Sequence, residues 1–158
     1  MGRRLGLAFV ILVALFAAAQ LIRPERASPG TDPRQAIQAQ PGVNGELVAV
    51  LDRACSDCHS NQSAWPRYTA VAPLSWVVAR AESEGRQAVN FSEWAGYSPD
   101  QQRTLLDASC QDVASGRMPG SPYTLLRPNA RLSAHDIDIV CAAAHQIGAR
   151  AANGRRGP

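Results

Sequence analysis

Residues 55–59 read Cys55-Ser56-Asp57-Cys58-His59, and this C-x-x-C-H pentad decides the interpretation of the whole chain. Two thiols separated by two residues lie on one side of a helical turn, where they match the spacing of the two vinyl groups of a haem and can form thioethers with them. The histidine that follows lies beneath the iron and can bind it through an imidazole nitrogen. The pentad therefore predicts one covalent haem c, with Cys55 and Cys58 as thioether donors and His59 as an iron ligand.

Two other interpretations of the same pentad exist. A C-x-x-C pair can be a dithiol redox centre, which usually follows a strand at the start of a helix. It can also be half of a zinc site, but a second pair of ligands at metal spacing is missing from the sequence. The histidine directly after the second cysteine favours haem.

The N-terminal residues 1–22 predict an uncleaved membrane anchor. Arg3 and Arg4 give the chain a basic start, and the residues from Leu5 to Ile22 carry no charge. A helix over this run is about 27 Å long, just enough for a thin hydrocarbon core. The two arginines should stay in the cytoplasm. We therefore expect a single-pass inner-membrane protein whose C-terminal domain lies in the periplasm, where C-x-x-C-H haem is attached.

A cleaved signal peptide is the alternative to an anchor. The run of alanines that ends at Ala19 offers a small-residue cleavage site, which would release the domain into the periplasm. The apolar run continues past this site to Ile22, and this favours the anchor.

The remaining chain divides into three parts. Residues 23–42 are rich in proline and predict a linker, residues 43–150 the haem-binding domain, and residues 151–158 a flexible tail. The formal net charge of +3 includes the two arginines of the anchor, so the rest of the chain is close to neutral. No basic run interleaved with aromatic residues appears, and we expect no nucleic-acid partner.

Four helices are predicted in the domain, and no convincing strand, so the expected fold class is all-α. The first covers about 45–58 and leads into the pentad. The second covers about 74–84 and is closed by Gly85. The third begins at the N-cap Ser98 and runs to about residue 115, and the fourth begins at the N-cap Ser133.

Met118 is the predicted second iron ligand. It is the only methionine besides Met1, and it lies between Gly and Pro residues after the third helix, where a stiff loop can project its thioether toward the iron. Methionine more often packs in a core. The competing ligands are His135, expected to be solvated near the start of the last helix, and His145, which could face the core.

Four aromatic residues, Trp65, Tyr68, Trp76 and Trp94, are candidates to contact the haem. A large flat cofactor needs such surfaces, and Trp N–H and Tyr O–H groups can bind its propionates. The alternative role for each is ordinary core packing.

Cys110 and Cys141 are left over after the pentad. Outside the cytoplasm two spare cysteines favour a disulfide, and both lie on the apolar stripes of their helices. Two buried free thiols are the alternative.

Several motifs in order resemble a bacterial haem-binding domain family related to cytochromes c. They are CSDCHSNQSAWPRY at 55–68, VAPLSW at 71–76, EGR at 84–86, NFSEW at 90–94, GRMP at 116–119 and LLRPNARLS at 125–133. The resemblance implies a cytochrome c-like helical domain with one covalent haem, and Met118 matches the methionine of the family's MP segment. Arg67 departs from the family, which commonly has tryptophan there.

The sequence therefore predicts a membrane-anchored monohaem c-type cytochrome domain that carries electrons through a His/Met-ligated haem to redox partners that stay unidentified. A peroxidase or a gas or redox sensor with a labile sixth ligand is the alternative function, and a C-x-x-C dithiol oxidoreductase is a third. An electron carrier is favoured over an enzyme.

Overall fold

The structure, a computed structural model, describes residues 2–25 and 29–153. Helices and loops make up this part of the chain and it contains no strand, so the predicted all-α class is confirmed. The helices, numbered in chain order, are α1 Gly2–Ala19, α2 Gly45–Ala54, α3 Ser56–His59, α4 Leu74–Ala88, α5 Pro99–Ala114, α6 Ser121–Leu126 and α7 Ala134–Asn153. Short 3₁₀ turns lie at Ile37–Ala39, Arg67–Ala70, Phe91–Gly96 and Pro128–Ala130.

The core is built around the pairing of α5 with α7, and α2 packs against α7 from the other side. Leu106 and Val113 of α5 and Val140 and Ala144 of α7 are buried at this pairing. These residues recur every three or four positions, which puts them on one stripe of each helix. The structure also joins Cys110 and Cys141 in a disulfide between the two helices.

Helix α5 begins and ends as the sequence predicts. The Ser98 hydroxyl accepts a hydrogen bond from the amide of Gln101, and the Gln101 side chain accepts one from the amide of Ser98, which completes a capping box. After the helix, Gly116 adopts a φ of 71°, a left-handed conformation that favours glycine. The chain then turns toward Met118.

Two predicted helices differ from the observed ones. The expected helix over 45–58 is divided at Cys55, whose φ of −124° and ψ of −37° are not helical, into α2 and the single turn α3. The prediction that Gly85 closes the second helix is wrong, because α4 continues through it to Ala88. Gly85 serves instead as a point of close approach to α3.

Helix α1 is apolar and long enough to cross a membrane, or to act as a signal sequence. Within the predicted linker, Ile37 is fully buried in the domain core, and residues 26–28 lie outside the described residues. At the other end, α7 continues to Asn153, and residues 154–158 of the predicted tail lie outside the described residues.

Candidate functional site

The pentad folds as one tight turn. The amides of Cys58 and His59 both donate to the carbonyl of Cys55, at 3.1 and 2.9 Å, so that the turn holds both thiols and the imidazole on a short piece of backbone. Neither Cys55 nor Cys58 forms a disulfide. Burial raises the pKa of Cys55 to about 12 and that of Cys58 to about 11. Dithiol redox centres depend on a lowered thiol pKa, so these thiols do not resemble one.

The imidazole of His59 is fixed by two carbonyl groups of the α4 C-terminus. Its Nδ1 lies 2.8 Å from the carbonyl oxygen of Gly85 and 3.2 Å from that of Val89. Because a carbonyl oxygen only accepts hydrogen bonds, Nδ1 carries the proton and Nε2 keeps a free lone pair. Burial lowers the pKa of His59, which favours the neutral imidazole that binds metals.

Gly85 lets α4 approach the pentad. A Cβ atom at this position would lie 2.5 Å from the carbonyl oxygen of Cys58, closer than real Cβ atoms come to backbone. The same residue supplies the carbonyl that binds His59. A glycine is therefore required where α3 crosses α4, and this crossing sets the orientation of the imidazole.

Two adjoining cavities meet at His59. The larger has a volume of about 510 Å³, in the range of cofactor pockets, and an apolar wall. The smaller has a volume of about 130 Å³ and reaches into the core between α2, α5 and α7. His59, Ala88 and Met118 line both cavities, Cys58 lines the larger one and Cys55 the smaller one. The further residues of the larger wall include Trp65, Leu74, Val77, Val78, Ala81, Pro122, Tyr123 and Leu126.

Met118 is brought to the cavities by the turn that ends α5. The amides of Arg117 and Met118 both donate to the carbonyl of Asp112, at 3.0 and 3.2 Å, which closes the chain back on the helix. The Met118 side chain is 46% exposed, so its thioether is available within the shared wall rather than packed in the core. The structure thus brings Cys55, Cys58, His59 and Met118 to one place.

A buried carboxylate lies behind the pentad. Asp57 accepts hydrogen bonds from the Tyr123 hydroxyl at 3.0 Å and the Ala64 amide at 2.9 Å, and pairs with the Arg127 guanidinium at 2.9 Å. Burial, with the nearby charge of Asp57, raises the pKa of Tyr123. Asp57 is 6% exposed, so the pair is shielded from water. It ties the turn of the pentad to α6 and the loop that follows.

Trp65 lies on this cluster with an unsatisfied donor. Its ring contacts Tyr123 edge-on with centroids 5.6 Å apart, and the Arg127 guanidinium carbon lies 5.8 Å from its centroid. The indole Nε1 of Trp65 and the Nε of Arg127 are buried and have no hydrogen-bond partner within the described residues. A buried donor without an acceptor is costly, so Trp65, which lines the larger cavity, and Arg127 beside it each have an N–H group that an acceptor would stabilise.

These features fit a haem. The wall is apolar, as a porphyrin requires, and two thiols and a neutral imidazole with a free Nε2 meet at it. The two unpaired donors suit the carboxylates of haem propionates. Among the described residues no cluster of three or more His, Cys, Asp or Glu side chains could hold a bare metal ion, which disfavours the zinc interpretation.

A polar network holds the segment after His59. The amide of Asn61 donates to the hydroxyl of Ser92 at 3.0 Å, and the Asn90 side chain donates to that of Asn61 at 2.8 Å. Arg86 donates through Nε to the carbonyl of Ser60 at 2.7 Å. Arg86, Asn90 and Ser92 therefore hold the segment after His59 through hydrogen bonds, and these three residues do not line the larger cavity.

Three of the four candidate aromatic residues lie away from the larger cavity wall. Trp94 is 1% exposed and packs in the core against Phe91, whose ring in turn contacts His59 with centroids 6.0 Å apart. Trp76 donates through Nε1 to the carbonyl of Ile22, at 2.8 Å. The Tyr68 hydroxyl lies 3.5 Å from the carbonyl of Leu126. Only Trp65 of the four lines the larger cavity.

The competing histidines lie on the outside of α7. His135 is exposed, as expected, and His145 is exposed as well, which corrects the expectation that it could face the core. Neither lines the two cavities.

Sequence reasoning missed Tyr123, Arg127 and the packing role of Gly85. Arg127 lies in the conspicuous LLRPNARLS segment, and Asp57 lies inside the pentad, so both ends of their pair were visible. Their separation of 70 positions gave no sign that they meet. The burial of Asp57, which would have indicated that it needs a charged partner, is visible only in the structure.

One comparison with known proteins gives a match. The profile of a family described as "Haem-binding domain" matches residues 14–146, which is most of the chain. No curated protein and no solved structure matches the chain.

Proposed function

The chain belongs to the haem-binding domain family, and we propose that it carries electrons outside the cytoplasmic membrane through one haem c ligated by His59 and Met118. One observation carries the proposal: His59 and Met118 line both of two adjoining cavities, with one pentad thiol at each. The family membership gives haem binding. The covalent attachment, the ligand pair and the electron-carrier role are our proposal.

Cys55 and Cys58 would hold the haem covalently. Each thiol would add across one vinyl group: its S–H bond would break, a sulfur–carbon bond would form, and the hydrogen would go to the other vinyl carbon as the double bond becomes single. The addition is redox-neutral and consumes no oxidant. Because the turn of α3 fixes both thiols on adjacent backbone, the attachment edge is defined before the cofactor arrives.

His59 and Met118 would supply the two axial ligands. His59 presents Nε2 because its Nδ1 proton is engaged by Gly85 and Val89. Haem with His and Met ligands supplies a one-electron couple with a raised reduction potential. With both protein ligands of the iron supplied by this chain's side chains, the site would favour electron transfer over binding of a substrate.

Trp65 and Arg127 would bind the propionates. Both present a buried N–H donor that has no acceptor among the described residues. An acidic group at this wall would give the two donors an acceptor, while Asp57 already balances the positive charge of Arg127.

Helix α1 would anchor the domain. Its length and composition allow it to cross a membrane, and Arg3 and Arg4 at its start orient the rest of the chain outward. We propose a single-pass inner-membrane protein with a periplasmic domain, rather than a secreted domain released near Ala19.

The test is a redox titration of the full chain produced with haem-attachment machinery. We expect a single one-electron transition, an oxidised spectrum with the far-red band of an iron–methionine bond, and no spectral change when carbon monoxide is added to the reduced protein. Rapid carbon monoxide binding would refute the closed His/Met site and favour the sensor or peroxidase function.

A further inference from the structure

Helix α1 touches the domain only at its C-terminal end. Its residues are exposed as far as Ala18, so the helix projects away from the domain. Gln20 then forms two hydrogen bonds with the backbone of Ala72: its Oε1 accepts from the amide at 3.0 Å, and its Nε2 donates to the carbonyl at 3.4 Å. The end of α1 is therefore tied directly to the domain through Ala72.

A second contact fixes the same junction. Trp76, in the first turn of α4, donates through Nε1 to the carbonyl of Ile22 at 2.8 Å. The backbone from Gln20 to Ile22 continues α1 as a closing turn, since each of these amides donates three residues back. The uncharged run from Leu5 to Ile22 is about 27 Å long as a helix, just enough for a thin hydrocarbon core. Ile22 and Trp76 would therefore lie at the membrane–water boundary on the periplasmic side of the inner membrane.

Exposed apolar side chains surround this junction. Val71 is 46% exposed, Trp76 37%, Tyr68 47% and Leu125 74%. We call these four residues the seating face. Val71 and Trp76 flank Ala72, which Gln20 binds, and Tyr68 reaches the carbonyl of Leu126, next to Leu125. The four residues are not among those that line the haem cavities, so a haem does not account for their exposure.

We propose that the seating face rests in the headgroup–acyl boundary of the outer leaflet and holds the haem domain in one orientation on the membrane. The proposal rests on the anchoring part of the proposed function. The bilayer is the occupant because the face is continuous with the end of the membrane helix. Trp and Tyr side chains prefer this boundary, where their rings are buried in lipid and their polar atoms keep hydrogen-bond partners.

The orientation has a consequence for the haem. Val77 and Leu126 line the larger cavity and are direct chain neighbours of Trp76 and Leu125 of the seating face. The cavity wall on this side therefore lies next to the membrane surface. A redox partner approaches the haem edge along the membrane plane.

The cysteine chemistry of the chain makes a direct test feasible. With Cys55 and Cys58 in thioethers and Cys110 bonded to Cys141, an introduced cysteine is the one reactive thiol. The variants are Leu125→Cys and Val71→Cys on the seating face, and the matched control is Asp107→Cys on the exposed side of α5. Each full-length variant is labelled with the fluorophore NBD and placed in nanodiscs, with or without phospholipid that carries a nitroxide quencher near the headgroup.

We expect severalfold quenching at positions 71 and 125 and little at position 107. Quenching by the haem is equal in both kinds of nanodisc and cancels in the ratio. Quenching at 71 and 125 that is no stronger than at 107 would overturn the proposal, and a face that binds a second copy or a soluble protein would give this result. A mature protein that begins at Gln20 would also overturn it.

The same preparations test the proposed function independently of the seating face. The parent chain should take up no label, whereas labelling of Cys55 and Cys58 would show that haem is not attached and would refute that part of the function. In that case the contact of the seating face with the membrane is measured in a chain in which both thiols are replaced by serine. A failure of the membrane contact and a failure of the proposed function are thereby distinguishable.

Discussion

The imidazole of His59 has one nitrogen engaged and one free, and this asymmetry suits it to bind iron in the proposed site. Gly85 and Val89 accept the Nδ1 proton, and Phe91 contacts the ring. A second-sphere hydrogen bond of this kind fixes the tautomer and raises the basicity of the ligating nitrogen. The ligand is thus oriented by the backbone of α4 rather than by a side chain.

Replacing Met118 tests the second ligand. We expect Met118→Ala to lose the far-red iron–methionine band and to lower the reduction potential by about 0.1 V or more, because thioether ligation favours the reduced iron. The measurement is a potentiometric titration with optical detection. The control is His145→Ala, since His145 is exposed on α7 and should leave band and potential unchanged. An unaltered spectrum in Met118→Ala would exclude Met118 as ligand.

Asp57 is predicted to stabilise the fold. Asp57→Ala leaves the Arg127 guanidinium and the Tyr123 hydroxyl without their buried partner, and we expect a loss of about 3 kcal/mol in the free energy of unfolding. Urea denaturation measures it. Asp107→Ala, on the exposed side of α5, should change the same quantity by no more than about 0.5 kcal/mol. Equal effects of the two substitutions would contradict the role of the buried pair.

At the scale of the elements, the crossing of α3 and α4 depends on Gly85. Gly85→Ala places a methyl group 2.5 Å from the Cys58 carbonyl oxygen, and we expect a loss of about 1–3 kcal/mol and a perturbed haem spectrum because the shifted backbone displaces the carbonyl that accepts from His59. Thermal unfolding and visible spectra measure these effects. Gly45→Ala is the control, because nothing lies within 4 Å of its added methyl. A stable Gly85→Ala protein with an unchanged spectrum would show that the crossing does not need glycine.

The start of α7 gives a pH-dependent prediction. Asp136 accepts hydrogen bonds from the amide and hydroxyl of Ser133 and pairs with Arg53 of α2 at 2.7 Å. The Ser133 bonds, with a smaller effect of Arg53, lower the pKa of Asp136, so its carboxylate stabilises the fold above the unfolded value of about 3.9, and this stabilisation is lost as pH falls through the folded pKa.

We therefore expect Asp136→Asn to cost about 1 kcal/mol at pH 7 and progressively less below about pH 4. Urea unfolding at pH 7 and at a pH below about 4 measures this difference. Asp138→Asn, at an exposed position further along α7, should leave the free energy of unfolding unchanged at both pH values. A cost for Asp136→Asn that did not shrink on acidification would show that the carboxylate charge is not the source.

The elements also show how much of the fold could be predicted from the sequence. The capping box at Ser98 and the apolar stripes of α5 and α7 are local patterns, and the structure has them where they were predicted. Gly85 was misread because a glycine that ends a helix and a glycine that admits a neighbouring backbone look the same in sequence. Cys55 interrupts a helix whose apolar periodicity continued through it, because the turn of the pentad overrides the pattern.

The candidate functional site also divides into residues that a local sequence pattern identifies and contacts that no local pattern identifies. Cys55, Cys58 and His59 were identified by a contiguous motif, and Met118 by elimination together with its turn. The pairing of Asp57 with Arg127 and the unpaired donor of Trp65 depend on contacts across some 60 or 70 positions, which no local pattern encodes. Trp76 and Trp94 show the reverse: abundant aromatics near a motif suggested cofactor contacts, whereas Trp94 packs in the core and Trp76 binds the end of the anchor.

At the scale of the whole molecule, one chain combines an apolar helix, a helical core and a cavity at the edge of that core. The α5–α7 pair, linked by Cys110 and Cys141, forms the core, and α2, α3 and α4 bring the pentad to its edge. The end of α1 is hydrogen-bonded to the start of α4, whose other end orients His59. A single helix thus connects the end of the apolar N-terminal segment to the candidate iron ligand.

The most direct test of this account is whether haem is bound covalently at the pentad. The full chain, produced with haem-attachment machinery, is denatured and extracted with acidified acetone, and the peptide that contains residues 55–59 is weighed. We predict that the haem stays with the protein and that this peptide gains the mass of exactly one haem through Cys55 and Cys58. Haem that passes into the acetone, or a peptide of unmodified mass, would contradict the account.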